Sequence, residues 1–365
     1  MRKLILLTAL LTLSIGAWAQ ETQSVNYIDA NYQQQTVTAT VITNSASILD
    51  AGWYVVLGND VQTNTLTCNG AVNLILADGA KLTAQGDNTS QTPGVQVSGE
   101  GNSLAIYGQA AQSGQLIATG GRYAAGIGGG YHSSGSNITI NGGTVTANGE
   151  YLGAGIGGGN GGSGSNITIN GGTVTATGGG CAAGIGGGNR GSGSNITING
   201  GTVTASGGEY GAGIGGGYNA SGSNIRIAFE LTVYADNQNP PTTEIPHATD
   251  YDIAQYLNGR RYVIVKDVIT GLKSDAIAAI NAAISDTDND NVKAIAANAE
   301  TAINAATSIH EIDAIKTQAL ADIASAKAIL GPLGTEQPGP AVKVTKGEKE
   351  VILYLPDKVE YIIRK

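Results

Sequence analysis

The sequence predicts a parallel β-helix with turns of 29 residues, followed by a small three-helix bundle and a short C-terminal β-hairpin. The first observation is a repeat between residues 123 and 227, in which AGIGGG, SGSNITI (SGSNIRI in the last copy) and NGGTVTA follow one another at a fixed period. The second is the alternation of apolar and polar residues within these motifs. The third is a change to an alanine-rich composition near residue 270. The isoleucines of AGIGGG are Ile127, Ile156, Ile185 and Ile214.

Each repeat has the pattern of one turn built from three short strands. SNITI places Ile138 and Ile140 on one side and Thr139 on the other, and TVTA places Val145 and Ala147 inside. A helix is excluded because so many glycines, each costing about 1 kcal/mol relative to alanine, would unfold it. Turns stacked about 4.8 Å apart bring equivalent residues into ladders. The predicted amide ladders are Asn137, Asn166, Asn195 and Asn224, and also Asn141, Asn170 and Asn199, for which turn formation is the simplest role.

The chain begins with a pattern typical of a secretory signal peptide, predicted to span residues 1–19. Arg2 and Lys3 precede an apolar run, and Ala17-Trp18-Ala19 provides a small-residue cleavage site before Gln20. No cysteine follows that point, so we expect no lipoprotein anchor, and no later segment approaches the roughly 18 apolar residues of a membrane span. We therefore expect the protein to be secreted or held at the cell surface.

The regular repeats lie within a longer β-helix that is preceded by cap strands. Residues 20–63 are expected to form N-terminal cap strands, and residues 64–265 the β-helix with its exit cap, in roughly six or seven turns. The early turns are degenerate copies, because Asn73 to Ala84 (NLILADGAKLTA) aligns with NITINGGTVTA. Near the far end, Tyr256 to Val268 is expected to supply one more strand.

After the β-helix, isoleucines and alanines recur at helical spacing. This predicts a three-helix bundle over residues 266–330, a linker over 331–340, and C-terminal strands over 341–365 that turn at Pro356-Asp357-Lys358. Asp286 to Asp290 (DTDND) resembles the start of a calcium-binding loop. It lacks the required glycine and the final acid, so we expect a solvated turn and no metal site.

The net charge restricts the possible partners, and the positions of the two cysteines bear on disulfide formation. Loss of Arg2 and Lys3 with the signal peptide changes the formal charge from −9 to −11, and the chain has no basic stripe, so nucleic acid is not expected to bind. Cys68 and Cys181 lie in different predicted turns, which favours two thiols over a disulfide.

The repeats resemble secreted proteins of gut bacteria that are described as carbohydrate-binding-domain or right-handed β-helix surface proteins. The motifs that carry the resemblance are AGIGGG and GSGSNITINGGTVTATGG, and the similarity covers about residues 24–265. It implies a right-handed parallel β-helix and a surface role, without catalytic residues. Separately, residues 300–323 (ETAINAATSIHEIDAIKTQALADI) resemble the three-helix spacer repeats of giant cell-wall adhesins.

Right-handed β-helices also occur in polysaccharide lyases and glycosidases, so an enzymatic role is an alternative to binding. Such sites need carboxylates about 5–9.5 Å apart, or a base beside bound calcium. Glu150 and Glu209 lie two turns apart, about 10 Å along the axis, and no serine–histidine or cysteine–histidine set is apparent. We expect no enzymatic activity and no cofactor, with a polysaccharide-degrading enzyme as the alternative.

The residues that bracket AGIGGG differ from copy to copy, whereas the rest of the repeat is constant. They include tyrosines, which can stack on sugar rings, and asparagine and arginine, which can bind hydroxyl groups. We expect two ridges flanking one strand, although unconstrained loop tips vary as well. The candidate ligand-binding residues are Tyr123, Tyr131, Tyr151, Asn160, Asn189, Arg190, Tyr210 and Tyr218. The predicted function is display of a β-helix that binds a polysaccharide or a host or bacterial surface glycan, with a purely structural stalk as a further alternative.

Overall fold

The computed structural model describes residues 21–228, 231–245, 252–287, 289–306, 309–330, 341–346 and 349–354. The chain divides into two compact units between residues 270 and 271. The predicted signal peptide and the predicted 331–340 linker lie outside the described residues.

The first unit is a right-handed parallel β-helix, as predicted, whose turns contribute strands to three stacks. The SNITI-type stack consists of β5 (Leu66–Leu76), β8 (Ser103–Gly108), β11 (Gly135–Ile140), β14 (Gly164–Ile169), β17 (Gly193–Ile198) and β20 (Gly222–Ile227). The AGIGGG-type stack consists of β7 (Val95–Gln96), β10 (Ile127–Gly128), β13 (Ile156–Gly157), β16 (Ile185–Gly186) and β19 (Ile214–Gly215). The TVTA-type stack consists of β4 (Val61–Thr63), β6 (Lys81–Gln85), β9 (Gln115–Arg122), β12 (Thr144–Glu150), β15 (Thr173–Thr177) and β18 (Thr202–Ser206).

The register between turns follows the period of the sequence. Ile138 pairs with Ile167 and Ile167 with Ile196, so identical side chains lie above one another, and all three are fully buried. The valines and alanines of the TVTA-type strands stack in the same manner on the opposite wall of the core. The interior is therefore a column of repeated aliphatic contacts, each made with the turns directly above and below.

Both predicted amide ladders are present at the corners. Side-chain amides donate along the outer ladder from Asn166 to Asn137 and from Asn195 to Asn166, each at 3.1 Å. In the inner ladder Asn170 donates to Asn141 at 2.7 Å, and the bond from Asn199 to Asn170 is 2.8 Å. The outer asparagines have φ between 49° and 58°, a left-handed conformation that asparagine tolerates better than most residues.

The N-terminal strands differ from the expected cap. β1 (Thr22–Ile28) and β2 (Gln34–Val41) are antiparallel, but β2 pairs in parallel with β3 (Ile48–Val56), and β3 pairs in parallel with β5. Parallel stacking therefore begins one turn before the start near residue 64 that the sequence suggested. The alignment of Asn73 with Asn137 is also wrong by two residues, because Leu74 and Ile140 both pair with Ile106.

An exit cap closes the other end of the β-helix. The expected extra strand, β22 (Tyr262–Asp267), is present and lies antiparallel between β18 and β21 (Leu231–Asp236). The short helix α1 (Ala254–Leu257) packs against β20. The backbone N–H groups of Gly213 and Gly207, on the last turns, donate to the carbonyls of Arg260 and Arg261, each at 2.7 Å. The cap thereby supplies partners for backbone groups that a further turn would otherwise have satisfied.

The second unit contains the three predicted helices and the predicted hairpin. The helices are α2 (Val268–Ile284), α3 (Asp290–Ala305) and α4 (Ile309–Leu330), and none of the described helices is long and apolar enough to span a membrane. Buried alanines and isoleucines line the facing sides, and Lys273 of α2 donates to the carbonyl of Asn304 in α3 at 2.8 Å. α3 begins after Asn289, whose side chain accepts hydrogen bonds from the N–H groups of Asn291 and Val292.

The described part of the C-terminal region is a two-stranded sheet that lies before Pro356. Its strands, β23 (Ala341–Lys346) and β24 (Lys349–Tyr354), are antiparallel, with Lys346 paired to Lys349. The predicted turn at Pro356 to Lys358 lies outside the described residues.

Candidate binding face

The AGIGGG segment folds back on itself and brings its two flanks together. In the first copy the N–H of Ala125 donates to the carbonyl of Gly129 at 3.0 Å, and equivalent bonds form in the other three copies. Gly128 has φ of +135°, and a Cβ atom there would lie 2.0 Å from the carbonyl oxygen of Gly157 in the next turn. Only glycine can therefore make this bend while keeping the turns in contact.

Because of this bend, the residues four before and four after each AGIGGG isoleucine become neighbours across turns. Asn160 N–H donates to the carbonyl of Tyr123 at 2.8 Å, and Tyr218 N–H donates to the carbonyl of Cys181 at 2.8 Å. The expectation of two separate ridges is thus wrong, since the two rows join into one continuous surface. We call this surface the binding face; it comprises Tyr123, Tyr131, Leu152, Asn160, Cys181, Asn189, Tyr210 and Tyr218, together with Tyr151.

The first turn of the binding face carries an aromatic cluster. The ring centroids of Tyr123 and Tyr131 are 5.4 Å apart, and Tyr151 meets Tyr123 edge-on, also at 5.4 Å. Tyr131 and Tyr151 are 44% and 57% exposed, so large parts of both rings are open to solvent. The Arg122 guanidinium lies 4.9 Å from the centre of the Tyr123 ring and 5.5 Å from that of Tyr151. This places a cation beside an aromatic surface that a ligand can reach.

Arg122 was not among the predicted site residues. In the sequence, Arg122 is only one of several residues that vary between copies just before AGIGGG. This variability does not distinguish Arg122 from the variable residues next to it. What distinguishes Arg122 is its position over two rings from adjacent turns, which becomes visible only once the turns are stacked.

The fourth turn repeats the tyrosine pair at the same two positions. Tyr210 and Tyr218 have ring centroids 5.5 Å apart with an interplanar angle of 66°, and they are 57% and 40% exposed. The carboxylate of Glu209 accepts a hydrogen bond from Tyr210 and raises the pKa of the Tyr210 hydroxyl. The fourth turn therefore offers a second exposed aromatic surface, here beside an acidic group.

The two middle turns carry smaller side chains at these positions. The Asn189 amide donates to the Asn160 side-chain oxygen at 3.0 Å, which forms a third, shorter amide ladder. Leu152 and Cys181 occupy the positions that are tyrosines in the first and fourth turns. Arg190 is exposed beside Asn189, in the stretch between the two tyrosine pairs, with φ of +62°. The binding face thus has tyrosine pairs at both ends, with two asparagines, Leu152 and Cys181 between them.

A cleft of about 440 Å³ opens where the binding face meets the exit cap. Tyr210 and Tyr218 form one side, and Asn258 and Arg261 of the cap form part of the other. Glu209 is the one carboxylate among its described lining residues. Across the described part of the chain, no group of three or more histidine, cysteine, aspartate or glutamate residues is placed to hold a metal ion.

Comparison with known proteins agrees with the fold. A family model described as a beta helix repeat matches residues 113–131, 138–160, 167–189 and 196–218. Searches of curated proteins and of solved structures found no match. The four matched segments end at Tyr131, Asn160, Asn189 and Tyr218, so each copy of the repeat carries one row of the binding face. The comparison therefore supports a parallel β-helix built from tandem repeats in this part of the chain.

Proposed function

We propose that this protein is a secreted, non-catalytic cell-surface protein that binds polysaccharide through the binding face. The observation that carries the proposal is the recurrence of one tyrosine pair at the same two repeat positions, in the first and fourth turns. Tyr131, Tyr210 and Tyr218 are exposed, and Tyr123 is half-buried. Tyrosines that are about half exposed leave apolar ring surface in contact with water, and covering that surface on binding is favourable.

The chemistry of the binding face suits sugars. A tyrosine ring can cover the C–H face of a pyranose, while its hydroxyl group and the asparagine amides both donate and accept hydrogen bonds with sugar hydroxyls. The backbone beneath is a hydrogen-bonded stack of strands, so little conformational entropy is lost when a ligand binds. In this proposal the predicted signal peptide delivers the protein to the cell exterior, and the helical unit acts as a spacer.

The carboxylates support a binding role over hydrolysis. Glycosidases use a pair of carboxyl groups on either side of the scissile bond. Glu209 is the one carboxylate among the described residues that line the cleft beside Tyr210, and Glu150 lies two turns away along the helix.

The test is a screen of the mature chain, from Gln20 onward, against immobilised plant, host and bacterial polysaccharides. We expect binding to at least one neutral polysaccharide, and at least tenfold weaker binding by a variant with both Tyr131→Ala and Tyr218→Ala. Tyr32→Ala is the matched control, because Tyr32 is 64% exposed but lies on the N-terminal hairpin. If the double variant binds as well as the parent chain, the binding face is not the site.

Catalysis is tested on the same polysaccharides by measuring reducing ends and unsaturated products over time. We expect no release above a heat-treated control. Steady release that depends on protein concentration would overturn the non-catalytic part of the proposal, and loss of that release in a Glu209→Gln variant would assign it to the cleft.

A further inference from the structure

We propose that the binding face takes an extended, neutral, β-1,4-linked polysaccharide chain that runs parallel to the helix axis and contacts both tyrosine pairs at once. This inference rests on the proposed function, which it makes more specific by naming the shape, linkage and direction of the ligand.

The first argument is the alignment of the two pairs. Tyr131 and Tyr218 occupy the same repeat position three turns apart, and the parallel register between those turns contains no shift in the AGIGGG-type stack. At about 4.8 Å per turn, the two pairs are separated by about 14 Å along a straight line. A single sugar covers one pair only, whereas an extended oligosaccharide reaches both.

The second argument is the surface between the pairs. Asn160 and Asn189 lie in the two middle turns, and their side chains are already linked by a 3.0 Å hydrogen bond. Each amide retains donor and acceptor capacity beyond that bond, so the stretch between the pairs can bind hydroxyl groups. Tyr151 of the second turn packs edge-on against Tyr123 at 5.4 Å as part of the first cluster, and the third turn carries no aromatic side chain at these positions, which leaves that turn open between the two clusters.

The third argument is the shape of the ligand. A β-1,4-linked chain of pyranoses with equatorial linkages is a straight, flat ribbon, and its advance per residue is close to the spacing of the turns. Successive rings can therefore meet successive rows of the binding face. An α-1,4-linked chain of the same sugar coils, so it leaves a straight row of contacts after one or two residues.

The charges favour a neutral chain. Exposed Glu150 pairs in register with Arg122 beside the first pair, and Glu209 and Arg261 both line the cleft at the fourth-turn pair, so each end of the binding face carries one cation and one carboxylate. A polyanion or a polycation would meet attraction and repulsion together at each end, with no net gain. A neutral chain gains the aromatic and amide contacts without this repulsion.

The experiment is a calorimetric titration of the mature chain with cello-oligosaccharides and chito-oligosaccharides from disaccharide to hexasaccharide. Maltohexaose is the control for linkage. We expect one hexasaccharide of at least one β-1,4-linked series to bind per chain, on the order of 10²-fold more tightly than its disaccharide, because the second pair is engaged intramolecularly. Tyr131→Ala and Tyr218→Ala, made singly, should each remove most of this gain without lowering the melting temperature.

The outcomes separate this inference from the proposed function. Equal affinity for disaccharide and hexasaccharide, two hexasaccharides bound per chain, or equal binding of maltohexaose would each overturn the inference while polysaccharide binding stands. Binding in the screen of some other polysaccharide, with neither β-1,4-linked series bound, would do the same. If no polysaccharide in the screen binds, both proposals fail.

Discussion

Replacing Ile167 with alanine should lower the free energy of unfolding of the β-helix by about 4 kcal/mol. Ile167 is fully buried, and its neighbours above and below in the stack are Ile138 and Ile196. The substitution removes three carbon atoms, which at about 0.8 kcal/mol each accounts for about 2.4 kcal/mol of lost burial. The cavity left behind adds about 1–2 kcal/mol, since the neighbouring isoleucines are held in register by the strands and cannot move inward.

The matched control is Thr168→Ala on the same strand. Thr168 faces outward and is partly exposed, so its replacement leaves the core intact and should cost less than about 1 kcal/mol, through lower β-propensity. The comparison isolates the inner stack because backbone pairing is the same at both positions.

Urea unfolding followed by far-ultraviolet circular dichroism measures both variants against the parent chain. Turns interact mainly with their neighbours, so the Ile167 variant can also unfold in two phases, with the turns around β14 opening first. In that case the loss of unfolding free energy is measured from the first unfolding transition. A difference below about 1 kcal/mol between the two variants would refute the view that the stacked isoleucines hold the helix together.

Three further predictions concern the backbone, the thiols and the amide ladder. Gly157→Ala should lower the melting temperature of the β-helix far more than Gly79→Ala does. Both glycines have positive φ, but only at residue 157 would the new Cβ atom lie 2.0 Å from a carbonyl oxygen. Similar melting temperatures for the two variants would contradict this prediction. At pH 8 the native chain should react with Ellman's reagent at one thiol, that of Cys181, because Cys68 is buried and burial raises the pKa of its thiol to about 12. Fast reaction of two thiols before denaturation would contradict this prediction. Asn170→Ala should cost about 1–3 kcal/mol in urea unfolding, because it leaves the buried side-chain oxygen of Asn141 without its hydrogen-bond donor. A loss near zero would show that water replaces the Asn170 amide.

The sequence predicted the repeated turns well because the repeat has no insertions. When every copy has the same length, equivalent residues must stack, and both amide ladders follow from that requirement alone. The register of the degenerate early turns was harder to predict. A strand shifted by two residues keeps the same side chains facing inward, so alternation could not distinguish the true register of Leu74 from the assumed one.

The candidate site was predicted in part. Variability around AGIGGG identified the tyrosines, and the structure brings Tyr123, Tyr131 and Tyr151 into one cluster and Tyr210 and Tyr218 into another. The joining of the two rows was missed because it depends on hydrogen bonds within and between the glycine loops, which have no side-chain pattern to reveal them. The cleft was missed for a related reason, since its far wall is formed by a cap that departs from the repeat.

The uniformity of the scaffold itself restricts where recognition can occur. Threonines of the TVTA-type strands and asparagines at the corners are the same in each of the regular repeats, so a ligand on those surfaces would find no preferred position along that part of the axis. The binding face differs, because its rows change from tyrosine pair to asparagine and back to tyrosine pair over four turns. A ligand that spans those rows has one best position, fixed by the strand spacing of the helix beneath it. The repeat that makes the core rigid would then also set the distance between the two contacts that select the ligand.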